Sequence, residues 1–194
     1  MDRIAQLDAI ISQFDLSTHP FYVEWREGTL PVERLREYAA EYARFIDTVD
    51  EGWDRIGEPK YGEIEREHER LWSRFQLEIA AGRYEPNPSI DTLVSAARNS
   101  FKSKPEAVGA LYAFEAQQPE TAQSKLDGLT RHYSISEAGR EYFKVHAKDI
   151  AEAVLLKTYI EALSDGEFAR AKTACAVLCA AMWGALDGVY YQAA

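Results

Sequence analysis

The stretch Leu111-Tyr-Ala-Phe-Glu-Ala-Gln-Gln-Pro-Glu-Thr-Ala-Gln-Ser-Lys125 sets one carboxylate, Glu115, in an otherwise apolar helical turn just ahead of Pro119. A buried carboxylate needs a cation, a proton or a dense set of hydrogen-bond donors, and the neighbours of Glu115 supply no obvious cation. Further residues able to answer that need lie in Glu65-Arg-Glu-His68, in His146-Ala-Lys-Asp149, and at the tyrosines Tyr22 and Tyr38. Whether these meet around metal is the functional question.

Helical periodicity recurs along the chain, while alternating patterns bounded by turn residues are hard to find, so the fold class is all-α. The expected order begins with a helix over about 2–14, a turn at Asp15–Pro20 and a short helix ending near Gly28. Thr29 and Pro31 open a long helix to about Ile56, and Gly57-Glu-Pro59 breaks it. An amphipathic helix follows over about 61–81, then one from Asn87-Pro-Ser89 to about Asn99. Pro105 opens the helix bearing Glu115, and Pro119 divides it from the segment holding Lys125. Ser136 caps a helix of more than two dozen residues through His146 to Leu163. Ser164-Asp-Gly-Glu167 fits a capping box for the last helix, to about Tyr191. Short loops then require seven or eight helices to stack into a compact bundle, and residues 1–194 read as one domain.

A net charge of −10 and a pI near 4.9 oppose nucleic acid or an anionic membrane as partners, since both need clustered Lys and Arg. The N-terminal residues lack a signal pattern, and the longest apolar run, 174–186, suits a buried helix better than a membrane span. The chain reads as soluble and cytoplasmic. Cys175 and Cys179 lie four apart on one helix face and read as inert core thiols. The small residues of that last helix permit a homodimer.

Glu65 and His68 have the Glu-x-x-His spacing that puts a carboxylate and an imidazole on one helix face, as in dimetal carboxylate proteins. The same helix is rich in glutamate, so Glu63 and Glu67 compete for the role. His146 sits in the apolar run Tyr142-Phe-Lys-Val-His146, with Asp149 one turn on. Glu65, His68, Glu115, His146 and Asp149 together offer the mixed nitrogen and oxygen donors favoured by iron or manganese, and the cysteines are too few for a zinc-thiolate site. Tyr22, Tyr38 and Tyr42 read either as core or as phenols beside an oxidising centre. Lys125 has nothing in its local sequence to depress its pKa. His19 and His132 read as structural.

The segments His19-Pro-Phe-Tyr-Val-Glu-Trp25, Tyr38-Ala-Ala-Glu-Tyr42, His68-Glu-Arg-Leu-Trp72, Leu111–Glu115, Tyr142–His146 and Met182–Tyr190 occur in an order that resembles the haem-oxygenase-like dimetal oxidases. The nearest branch is that of the chlamydial protein associating with death domains. The resemblance implies a seven-helix bundle related to TenA and PqqC, with two transition-metal ions, iron or iron with manganese, and dioxygen as co-substrate. It also implies self-sacrifice: a tyrosine of the chain becomes the p-aminobenzoate skeleton and a lysine donates nitrogen. Tyr22 and Tyr38 match the tyrosines, Lys125 the lysine, and Glu115, His68 and His146 match metal ligands.

One part departs from the pattern. The family's last ligand helix reads His-x-x-x-Asp-x-x-His, whereas Ile150 and Ala153 occupy the later positions here. Asp149 comes one residue early, and Glu152 points well away from His146 unless the helix is distorted. Two expectations follow: a dimetal oxidase acting on a small molecule or its own side chains, or a bundle without a working centre that binds a small apolar ligand or a protein partner. A ferritin-like store lacks its second Glu-x-x-His.

Overall fold

The computed structural model describes residues 2–191. Among them there is no strand, and eleven α-helical segments follow one another: α1 (Arg3–Ile11), α2 (Pro20–Glu27), α3 (Val32–Ile46), α4 (Val49–Ile56), α5 (Pro59–Glu78), α6 (Pro88–Ser100), α7 (Lys104–Glu115), α8 (Gln118–His132), α9 (Glu141–His146), α10 (Ala151–Ala162) and α11 (Asp165–Tyr190).

The punctuation in the sequence acts locally. The Asn87 side chain accepts the Ser89 N–H at the start of α6, and Ser164 and Glu167 form the reciprocal capping box of α11. Gly57 ends α4 at φ +91°, a left-handed conformation that a side chain would strain.

Two of the expected helices are each divided into two segments. The helix expected through Ile56 breaks after Ile46. There Thr48 Oγ1 donates to the Phe45 carbonyl at 2.7 Å, and Thr48 N turns back to the same oxygen at 2.9 Å. A hydroxyl competing for a backbone acceptor offers the chain a route out of the helix. The helix expected over 136–163 breaks between His146 and Ala151, where Asp149 Oδ1 accepts the Ala151 N–H at 2.9 Å in an Asx turn just ahead of α10, whose N-cap is Ile150.

The core is aromatic at one end and closely packed at the other. Trp25, Tyr38, Trp72, Phe75 and Phe143 are buried and meet mostly edge to face, with Trp25 and Phe75 stacked at 6.1 Å. α7 crosses α11 so closely that a Cβ on Gly109 would lie 1.9 Å from the Ala171 carbonyl oxygen. By length and composition α11 could cross a bilayer, but half of its most apolar window is buried in the protein. It packs on α6 and α7.

Candidate metal centre

Four helices deliver five donors to one buried region, and each arrives by a local feature of the chain. Glu65 and His68 project from the same face of α5. Glu115 is the last residue of α7, His146 the last of α9, and Glu152 stands in the first turn of α10. All five are buried.

They form two overlapping groups. The ligand atoms of Glu65, His68 and His146 lie within 4.8 Å of one another, as do those of Glu65, Glu115 and Glu152. Glu65 belongs to both. The His68 and His146 rings are 4.2 Å apart. Glu65 Oε1 and His68 Nδ1 are separated by 3.4 Å, without hydrogen-bond geometry.

The electrostatics show what the region lacks. Burial raises the Glu115 pKa far above the carboxylate range, helped by Glu152 and Glu65. Burial likewise lifts Glu152 to about 8, with Glu65 and Asp149 adding to it. Burial pulls the His68 imidazole down, but Glu65 and the acids behind it more than offset this, so its pKa ends above the usual histidine value. His146 falls to about 3 through burial and the neighbouring His68. Its Nδ1 contacts the Tyr142 carbonyl at 2.8 Å. A carbonyl can only accept, so Nδ1 carries the proton and Nε2 keeps a lone pair, as a metal-ligating histidine requires.

The unfilled demand is specific. Glu65 Oε1, His68 Nδ1, Glu115 Oε1 and Glu152 Oε1 are buried without a hydrogen-bond partner, and among the described residues no Arg or Lys forms an ion pair with any of these three carboxylates. Orphaned acids and a neutral imidazole fit divalent transition metal.

Asp149 stays outside both groups. It is partly exposed, and its Oδ1 is spent on the Ala151 N–H. By starting a new helix it turns Glu152 inward, which an unbroken helix at about 100° per residue would not do. The competing Glu63 and Glu67 are exposed and lie outside the groups. His19 is buried, accepting the Phe21 N–H and facing Asp187.

A second cluster adjoins the first. Tyr22 on α2 and Tyr38 on α3 share a hydroxyl–hydroxyl bond of 2.8 Å. Lys125 Nζ, from α8, lies 4.2 Å from the Tyr22 ring centroid and 5.9 Å from that of Tyr38. Lys125 is 5% exposed, and burial lowers its pKa to about 7. That shift is invisible in the local sequence because the enclosing rings come from other helices. The Tyr142 ring lies tilted against His146 at 4.1 Å, Trp72 meets Tyr142 at 4.9 Å, and Trp72 meets Tyr38 at 5.8 Å, joining the two clusters through aromatic contact.

A family model described as iron-containing redox enzyme matches residues 53–154, and the chain belongs to that family. The span runs from α4 to α10 and includes all five clustered donors. Among curated relatives, the 4-aminobenzoate synthase of Nitrosomonas europaea is 29% identical over 220 residues, covering 95% of this chain and 89% of its own. The 4-aminobenzoate synthase of Chlamydia trachomatis is 26% identical over 211 residues, covering 96% and 91%. Among solved structures, a TenA homologue from P. horikoshii superposes with a TM-score of 0.80 over 98% of this chain and 99% of the other, at 15% identity. A domain of haem-oxygenase-like fold from Shewanella denitrificans gives 0.78 over 98% and 92%, at 16% identity. These structures establish the haem-oxygenase-like fold.

Proposed function

We propose that this chain is a non-haem oxidase holding two transition-metal ions, iron with iron or iron with manganese, on Glu65, His68, Glu115, His146 and Glu152, and that it forms 4-aminobenzoate from its own side chains with dioxygen as co-substrate. The observation that carries this reading is the set of four buried, partnerless atoms on groups sharing one region. When bound, such metals activate dioxygen and supply the oxidising equivalents.

The residues around them have separable roles. Glu65 is shared by both groups and would contribute a donor to each. The Tyr142 carbonyl fixes the His146 ring and its tautomer. Tyr22 supplies the aromatic ring, Tyr38 holds its hydroxyl, and the buried aromatic wall excludes water. Lys125 supplies the amine: with a pKa near 7, a large fraction carries a free lone pair at neutral pH, beside the Tyr22 ring. The relatives named 4-aminobenzoate synthase support the product assignment. The alternative of a bundle without a centre draws on Ile150 and Ala153, and Glu152 supplies a donor in their place.

Anaerobic loading with ferrous iron, with or without manganese, followed by metal analysis and exposure to oxygen, tests the proposal. The expected result is more than about one ion per chain, oxygen uptake, and 4-aminobenzoate detected by mass spectrometry together with a matching mass loss from the chain. Tyr22→Phe and Lys125→Arg should bind metal without releasing product, whereas Glu115→Gln should lose metal. Less than about a tenth of an ion per chain defeats the metal reading. Oxygen uptake without 4-aminobenzoate defeats only the product.

A further inference from the structure

We propose that Trp53 is a positioning residue of the metal centre: its indole N–H holds the Glu115 carboxylate in the orientation that presents it to a metal ion. The inference rests on the metal reading above and adds to it a residue that carries no metal-binding atom.

Trp53 stands on α4 and is 0% exposed. α4 packs on both α5 and α7. Its approach to α7 is close: a Cβ on Gly52, the residue before Trp53, would lie 3.0 Å from Leu111 Cδ2, and Leu111 stands one turn ahead of Glu115. On the α5 side, the Tyr61 ring stacks on the indole at 4.7 Å, with 23° between the planes. The indole is thus held between two helices that both carry candidate ligands. It has one polar atom, and that atom can only donate.

Trp53 Nε1 is buried without a well-formed hydrogen bond, and so is Glu115 Oε1. The two orphans belong to neighbouring groups. The indole N–H bears on the Glu115 side chain and favours its ionised form, whereas Glu152, Glu65 and Asp149 oppose it. A buried N–H left unpaired is costly and calls for an explanation. Packing does not supply one, since a hydrocarbon ring would fill the core there without that cost.

The place of Glu115 in its helix strengthens the need for a donor. It is the last residue of α7, where the negative end of the helix dipole disfavours an anion. A metal ion requires that anion. Once Glu115 is ionised, the indole becomes a charge-assisted donor to it and fixes the rotation of the carboxylate, much as the Tyr142 carbonyl fixes the His146 ring.

Anaerobic titration of the full chain with ferrous iron against a competing chelator, paired with urea unfolding of the metal-free protein, tests the inference. Trp53→Phe removes the N–H along with the second ring. Trp53→benzothienylalanine exchanges only the N–H for sulfur at nearly the same shape, and so separates donation from packing. Both variants should bind ferrous iron about tenfold or more weakly than the wild type. The benzothienyl variant should keep or exceed the wild-type urea midpoint without metal, because an unpaired buried donor is gone. Wild-type iron affinity in the benzothienyl variant overturns the proposal, whatever Trp53→Phe does. So does a parallel loss of its metal-free stability, which would make Trp53 a packing residue. A wild type that binds no iron defeats the metal reading and this proposal with it, an outcome distinct from iron binding that is indifferent to position 53.

Discussion

Lys125 Nζ sits 4.2 Å from the centre of the Tyr22 ring, in a pocket that burial alone makes hostile to its charge. The folded pKa of about 7 lies below the ordinary value of 10.5, so the native state binds fewer protons than the unfolded chain between those values. Stability therefore rises with pH through that window, and the penalty is complete below about pH 7. Lys125→Met should stabilise the metal-free protein by roughly 2–4 kcal/mol at pH 6, less as pH climbs towards 10, while abolishing product. Chemical denaturation of both proteins across this range checks it; a gap independent of pH would show that Lys125 is not desolvated.

The break before α10 assigns different roles to Asp149 and Glu152, and the two can be separated. Asp149→Asn retains the acceptor for the Ala151 N–H and should leave metal content unchanged. Asp149→Ala should cost about 1 kcal/mol and weaken metal binding by freeing Glu152. Glu152→Gln removes one of three crowded acids, so the metal-free protein should gain about 1 kcal/mol while losing most of its metal-induced rise in melting temperature. Melting curves with and without ferrous iron read all three; loss of metal in Asp149→Asn would return that residue to the ligand set.

The same break shows how far a sequence can be read. Helix starts marked by Asn87-Pro-Ser89 and Ser164-Asp-Gly-Glu167 are local, and their side chains close onto the backbone a few residues on. Asp149-Ile-Ala-Glu152 before an apolar run has the spacing of a helix start too, so the new helix was legible. Taking Asp149 as a metal ligand hid it. The division after Ile46 has no glycine or proline to announce it. The depressed pKa of Lys125 was not legible, since it depends on rings that α2 and α3 bring across the bundle to α8. Glu115 was, because its own turn is apolar enough to require burial.

Where α7 crosses α11, Gly109 lies against the backbone rather than a movable side chain. Gly109→Ala would set a methyl group 1.9 Å from the Ala171 carbonyl oxygen, and separating the helices would disturb Glu115 at the end of α7. The variant should lose roughly 2–4 kcal/mol and bind metal more weakly. Equilibrium urea unfolding measures the first effect and metal analysis the second. Unaltered stability would mean that the two helices are not in such close contact.

His19 ties the start of α2 to the end of α11 in a single tautomer. Its Nδ1 accepts the Phe21 N–H at 3.1 Å, so the proton lies on Nε2, which donates to Asp187 Oδ1 at 3.1 Å. Burial holds its pKa below 6.5, despite the opposing pull of Asp187. The native state thus binds fewer protons than the unfolded chain just below pH 6.5, and the stability present above that value is lost as pH falls through the window. Protonating Nδ1 would also aim a donor at the Phe21 N–H. His19→Ala should cost about 1–2 kcal/mol at pH 7, and His19→Asn, which keeps a cap acceptor, less. On acidification from pH 7 to 5 the wild type should lose stability relative to His19→Asn, as followed by circular dichroism melts. Parallel pH profiles for the two proteins would mean that His19 takes up its proton equally readily in the folded and the unfolded chain.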